Sequence, residues 1–247
     1  MKLHYDLHIH SALSPCGDPD MTPNNIVNMA MLCELDMIAV ADHNTTGNVG
    51  AVMEVGKAAG ITVVPAMELE TAEEIHVLCL FPDLGSAERF DREVVAPALP
   101  PIENNKKIFG DQFLMDAEDR IIGEESRYLL NATAISLDDL PPLIASYGGV
   151  AVPAHIDKQT KSLVGNFGMV GAYMGFGSFE LSRNLQDGFI EGTPGLGSRT
   201  YRYIHNSDAH YLEHIGEHSG ENLVELMENS PKALIEFLQN EEKRPKS

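Results

Sequence analysis

The segment "DLHIH" at residues 6–10 decides how the chain is read. Side chains two apart on a strand share a face, so Asp6, His8 and His10 point one way while Leu7 and Ile9 point the other. A surface strand does not need such a pair of imidazoles, and a core strand avoids them. Two imidazoles converging from one strand end make half of a metal site. "SDAH" (207–210) repeats the arrangement near the other end of the chain, with Asp208 and His210 two apart.

Further apolar runs end on the same residue types. "AVAD" (39–42) leads into His43, "VVPAM" (63–67) into Glu68 and "VAVPA" (150–154) into His155. His76 begins a run instead, in "IHVLCLF" (75–81), after the short turn "LETAEE" (69–74). Paired as a hairpin, those two strands return His76 to the rim that holds Glu68. "SFELS" (178–182) and "YRYIHNSDAH" (201–210) also read as strands. Helices alternate with them. One opens with Thr22 as N-cap and Pro23 at the first helical position, one covers 48–60 and stops at Gly60, and one runs from Ser230-Pro231 to about Gln239.

Near-continuous apolar strands alternating with helices indicate a mostly parallel sheet buried on both faces, and hence an α/β barrel. In a parallel barrel the strand ends lie on one face, where active sites are built. Residues 86–137, with "LPPIENNKK" at 99–107, break the rhythm and read as an insertion that covers the site within a single domain, 1–247.

The 247 residues, 43% of them hydrophobic, suffice for one large core. There are 17 Lys+Arg against 37 Asp+Glu, a net charge of −20. That balance argues against extended nucleic-acid or anionic-membrane binding, though not against a small anionic substrate held by bound cations. The reading contains no signal peptide and no membrane-spanning run, and three unpaired cysteines (Cys16, Cys33 and Cys79) fit a cytoplasmic protein. Oligomeric state is not legible.

Imidazole with carboxylate suits Zn, Mn or Fe, and six histidines with two carboxylates exceed the needs of one ion, so a cluster of two or three divalent ions is expected. His4, His205, His214 and His218 read as ordinary structural residues. Arg183, just after "SFELS", is the expected phosphate clamp, with Lys158 and Arg199 as weaker alternatives. Asp6 and Asp42 flank ligands and are placed to orient imidazoles.

Taken together, "DLHIHSALSPCGD", "IAVADHN", "PAMELE", "EIHVLCLF", "VPAHID" and "NSDAH" resemble the polymerase and histidinol phosphatase (PHP) superfamily over nearly the whole chain. The resemblance implies a distorted seven-stranded β/α barrel with a metal cluster at its C-terminal rim, and phosphoester hydrolysis. It implies that His8 and His10 hold one ion with Glu68 and Asp208. Glu68 then bridges to a second ion bound by His76 and His155, and His43 and His210 hold the third. Asp18 is the remaining loop ligand, with Cys16 as its substitute. The expected activity is hydrolysis of a small phosphomonoester, such as a nucleotide or histidinol phosphate, by a metal-bound hydroxide. Asp208 and Glu68 would act at the centre and Arg183 on the phosphate. A nuclease trimming short oligonucleotides, or a metal-binding module without activity, are the alternatives. Chelator-sensitive hydrolysis separates both enzymes from the inactive module.

Overall fold

The computed structural model describes residues 1–197, 201–217 and 222–239. Ten strands are present among them: β1 (Lys2–Ile9), β2 (Met37–Val40), β3 (Thr62–Glu70), β4 (His76–Leu80), β5 (Phe113–Met115), β6 (Ile121–Glu124), β7 (Val150–Pro153), β8 (Ser178–Leu181), β9 (Arg202–His205) and β10 (Leu223–Glu225). Six form a curled sheet in the order β10-β1-β2-β3-β4-β7. The sheet is buried on both faces, as the unbroken apolar run of β2 requires; all four residues of that strand are buried.

Helices cover the sheet where the sequence places them. Thr22 caps helix Pro23–Leu32, accepting from Asn25 N at 3.4 Å, and Ile26, Val27 and Ala30 face the core. Helix Val49–Ala59 ends on Gly60, whose φ of 79° is the left-handed cap that a side chain would strain. Helix Pro231–Gln239 buries Leu234, Ile235 and Leu238 against the apolar cluster that contains Leu7, Val64 and Val152.

Two expectations are corrected. The sheet is not mostly parallel, because β1–β10, β3–β4 and β4–β7 are antiparallel and only β1–β2 and β2–β3 are parallel. The five-residue turn between β3 and β4 is too short for a crossover and enforces the antiparallel pair. Nor is there a continuous seven-stranded barrel. After β7 the chain turns away at His155, whose φ is 31°. The parallel pair β8–β9 then lies across the opening as a separate ladder. A few backbone hydrogen bonds tie it in. Ile156 N donates to Glu180 O at 2.9 Å on one side, and His10 N to Ala209 O at 2.8 Å on the other.

Residues 86–137 hold short helices and the β5–β6 hairpin. Phe113 N donates to Ala12 O at 3.0 Å, and Leu114 packs against Leu13, Leu99 and Leu129. The stretch therefore lies over the loop that follows β1. Among the described residues no helix is long and apolar enough to cross a membrane.

Candidate metal centre

Glu68 is the hub. It sits near the end of β3, 1% exposed, and five imidazoles surround its two oxygens. Oε1 lies 2.9 Å from His76 Nδ1, 3.1 Å from His155 Nε2 and 3.4 Å from His8 Nε2. Oε2 lies 3.1 Å from His43 Nδ1 and 3.4 Å from His10 Nε2. The β3–β4 register, with Glu68 opposite Leu78 and Glu70 opposite His76, brings His76 back to this rim as the hairpin reading expects. Asp208 Oδ1 closes the near side, 3.5 Å from His8 Nε2 and 3.3 Å from His10 Nε2. His210 stacks on His10 with ring centroids 4.3 Å apart.

The neighbours of His8 and His10 fix which ring nitrogen faces inward. His8 Nδ1 lies 3.0 Å from Glu180 Oε1, and a carboxylate only accepts, so Nδ1 carries a proton and Nε2 is the nitrogen turned to the centre. Ser14 Oγ donates to Asp42 Oδ1 at 2.7 Å, and so accepts from His10 Nδ1 at 3.0 Å. His10 Nε2 is therefore also the nitrogen turned to the centre. The two Nε2 atoms lie 3.2 Å apart.

Charge tells the same story. Burial alone would protonate Glu68, but His76, His8 and His43 hold its pKa well below the usual carboxylate range. Burial opposes a charge on His76, yet Glu68 and Glu70 raise its pKa to about 9. Burial likewise opposes a charge on His8, and Glu180, Glu68 and Asp208 drive its pKa well up. Burial and the neighbouring His10 press His210 down to about 4. The carboxylates thus demand positive charge at the centre, and only some of the imidazoles can supply it as protons.

Three groups of side chains bring ligand atoms within 4.8 Å of one another: His8, His10 and Glu68; His43, Glu68 and His76; and His10, His43 and His210. His155 Nδ1 is buried without a hydrogen-bond partner, and His43 Nδ1, though 3.1 Å from Glu68 Oε2, has no aligned one. Converging imidazole nitrogens around a surrounded carboxylate fit borderline divalent cations. His155 and Asp208 have φ of 31° and 52°, backbone conformations that non-glycine residues adopt at a cost and that collect at functional sites.

The other expected residues fall as follows. Asp18 accepts from Asp20 N at 2.9 Å in a local turn, and neither it nor exposed Cys16 joins the three groups. Arg183 stands on the rim, 38% exposed and ion-paired with Glu217. It shares with Lys158, Asn206, Ser207 and Asp208 a pocket of about 110 Å³ beside the centre. Lys158 Nζ lies 2.5 Å from Asp208 Oδ2. Arg199 and His218 lie outside the described residues.

Asp42 orients an imidazole through Ser14, whereas Asp6 accepts from the backbone N–H groups of Ser207 (3.1 Å) and Gly216 (3.0 Å) and so holds the loop instead of a ring. The residue sequence reasoning missed is Glu180. Its carboxylate accepts from His8 Nδ1, from His155 N at 2.9 Å and from Asn206 Nδ2 at 2.6 Å. The signal was present as a lone carboxylate in the buried strand "SFELS".

No family model matches the sequence. Structurally, the chain superposes on the lesion-specific endonuclease EndoQ of Pyrococcus furiosus with a TM-score of 0.63 at 18% identity, covering 97% of this chain and 56% of the endonuclease. A two-domain protein of Bacteroides vulgatus containing a predicted PHP-like metal-dependent phosphoesterase gives 0.56 at 15% identity, covering 98% and 63%. The fold is PHP-like. Another Endonuclease Q structure, in complex with a 27-mer duplex with an abasic lesion at its active site, matches this PHP-like fold with a TM-score of 0.57 at 18% identity, over 87% of this chain and 51% of that one. In sequence, 86 residues are 32% identical to the 5'-3' exoribonuclease Rnm of Salmonella typhimurium, 33% of this chain and 28% of that enzyme. The chain thus spans little more than half of the first endonuclease and matches about a quarter of the exoribonuclease. These similarities to nucleic-acid enzymes overturn the expectation, drawn from net charge, that extended nucleic acid is not a partner. Global charge reports the whole surface, while binding is decided by local cations.

Proposed function

We propose that the chain is a metal-dependent phosphoester hydrolase acting on nucleic-acid strands. The observation that carries the hydrolase reading is Glu68, a buried carboxylate surrounded by five imidazoles. His8, His10, Glu68 and Asp208 would hold one divalent ion; Glu68, His76 and His155 a second; His43 and His210, next to His10, a third. When bound, such ions supply Lewis acidity and lower the pKa of coordinated water.

The chain's own residues set the rest. Glu180 and Ser14 fix the tautomers of His8 and His10. Lys158 and Arg183 line the adjoining pocket with the only kind of charge that attracts a phosphate. Asp208 is 21% exposed, so it is the carboxylate of the centre open to both pocket and solvent. The nucleic-acid reading rests on the likeness to Endonuclease Q and to Rnm. A pocket this small takes one phosphate group, so the strand presents an end or a displaced nucleotide.

The test is metal analysis of the purified chain, followed by incubation with single-stranded DNA and RNA oligonucleotides before and after chelation. Cleavage that chelation and Asp208→Asn both abolish is expected. Hydrolysis of 4-nitrophenyl phosphate with every oligonucleotide left intact would return the substrate to a small phosphomonoester. Failure to retain Zn, Mn or Fe after reloading would sink the metal centre itself.

A further inference from the structure

Phe109 and Tyr128 form a stacked pair, ring centroids 4.1 Å apart and planes at 30°. Neither ring belongs to a buried apolar cluster, and Phe109 is 38% exposed. Two aromatic rings stacked at the surface of an insertion need a reason, because burial does not supply one.

Their segments are anchored to the stretches of chain that surround the metal centre. On the Phe109 side, Gly110 lies so close to the loop after β1 that a Cβ there would stand 2.7 Å from Pro15 O. Its φ of 96° also excludes ordinary side chains. Three residues on, Phe113 N donates to Ala12 O. On the Tyr128 side, the side chain of Asn44, next to His43, donates to Leu129 O at 2.8 Å and to Asn131 O at 2.9 Å. Thr133 N donates to Glu70 O at 2.9 Å, two residues from Glu68. The segments carrying the two rings are thus pinned to the loops that carry His10 and His43 and to the end of β3, which carries Glu68. Lys106 and Lys107 precede Phe109 on the short helix Lys106–Phe109, with Lys106 paired to Glu124, and Lys161 is paired to Glu70 two residues from Glu68.

The geometry points to the Phe109–Tyr128 pair as a stacking platform for a nucleobase of the strand whose phosphate enters the metal centre. This deepens the nucleic-acid reading above and rests on it. Every base has a π-face, so such a platform binds strands without choosing a sequence, and neighbouring lysines hold the backbone. It also explains how a chain of net charge −20 would hold a polyanion: by rings and a few local cations instead of a basic surface.

The sequence contains no tryptophan, so Phe109→Trp installs a single indole at the platform. Zn-loaded Phe109→Trp is titrated with AMP and with ribose 5-phosphate, which carries the same phosphate without a base. AMP is expected to quench the indole and ribose 5-phosphate to leave it unchanged. In parallel, Phe109→Ala is expected to raise KM about five- to a hundredfold for a base-bearing oligonucleotide, the range of one base–aromatic stack, and to leave KM for the abasic analogue unchanged. Silence of the indole toward AMP, or equal loss on both oligonucleotides, would overturn the platform. Absence of chelator-sensitive cleavage by the unsubstituted chain would instead overturn the hydrolase reading, because quenching by AMP needs no turnover.

Discussion

His8 Nδ1 lies 3.0 Å from Glu180 Oε1, and this hydrogen bond joins the first strand of the main sheet to the separate β8–β9 ladder. The same carboxylate holds His155 N and Asn206 Nδ2. One buried glutamate therefore sets the tautomer of one proposed ligand and the backbone position of another.

Glu180→Gln keeps the size of the side chain but leaves one acceptor oxygen for three donors. Partners of this kind typically cost 10- to 100-fold in metal affinity when removed. The expected outcome is a drop of that order in Zn or Mn affinity, read by competition with a chromogenic chelator. The far-ultraviolet circular dichroism should be unchanged. Glu180→Ala leaves the donors unpaired and is expected to cost stability as well, about 1–3 kcal/mol for each buried group.

Ser14 relays Asp42 to His10 and also accepts from His43 N at 3.2 Å. Ser14→Ala therefore frees the His10 ring to take either tautomer and orphans a backbone donor. Metal content per chain should fall, and activity with it, while Ser11→Ala should affect metal content less. Ser11 also bonds Asp42, through its hydroxyl at 2.6 Å, but its hydroxyl otherwise accepts from Leu13 N and Asn48 Nδ2 and not from an imidazole. Equal metal content in Ser14→Ala and the unsubstituted chain would show that His10 is not held by this relay.

In the metal-free chain His76 has a pKa raised to about 9 against an ordinary value of 6.5: burial opposes the charge, and Glu68 and Glu70 outweigh it. A raised histidine contributes stability that is fully present below 6.5 and is lost as pH rises through 9. The metal-free Tm is therefore expected to fall between pH 7 and pH 9. Metal binding shows the opposite trend. An ion must displace the proton on His76, so its affinity grows with pH across the same window and binding releases protons. Chelated and metal-loaded samples, scanned at pH 6.5, 7.5 and 8.5, should diverge progressively in Tm. Curves that stay parallel would mean His76 gives up no proton to the metal.

Most of the side-chain cluster was legible because its members obey short-range rules. Period-two alternation placed His8 and His10 on one face, and a short turn predicted that His76 returns to Glu68. The misreadings are long-range. Nothing local in "IHVLCLF" or "GVAVPAH" distinguishes a parallel from an antiparallel partner, and the mixed sheet followed from connections, not from the strands. Glu180 was overlooked because its partners, His8 and Asn206, lie 172 and 26 residues away. Asp18, expected from the resemblance, accepts from Asp20 N in its own turn. Net charge misled about nucleic acid because it averages over a surface on which Lys158, Lys161 and Arg183 stand near the site.

Lys158 supplies the last prediction. Its ammonium lies 2.5 Å from Asp208 Oδ2, and burial, which disfavours the charge, is outweighed by Asp208, so its pKa is raised and it stays cationic. It faces two roles: holding Asp208 in place, or offering charge to a phosphate in the adjoining pocket. Lys158→Met separates them. A phosphate-binding lysine gives up one charge-assisted hydrogen bond, worth about 1.5–3 kcal/mol, which is about 10- to 100-fold in KM for a phosphoester. Metal content would hold steady, since Asp208 loses a competitor for its second oxygen. A lysine that only positions Asp208 would show metal loss and activity loss in step. The first pattern is expected, because the pocket lined by Lys158 and Arg183 opens beside Asp208. Restoring the charge with Lys158→Arg should recover part of the KM, and a failure to do so would assign Lys158 to Asp208 alone.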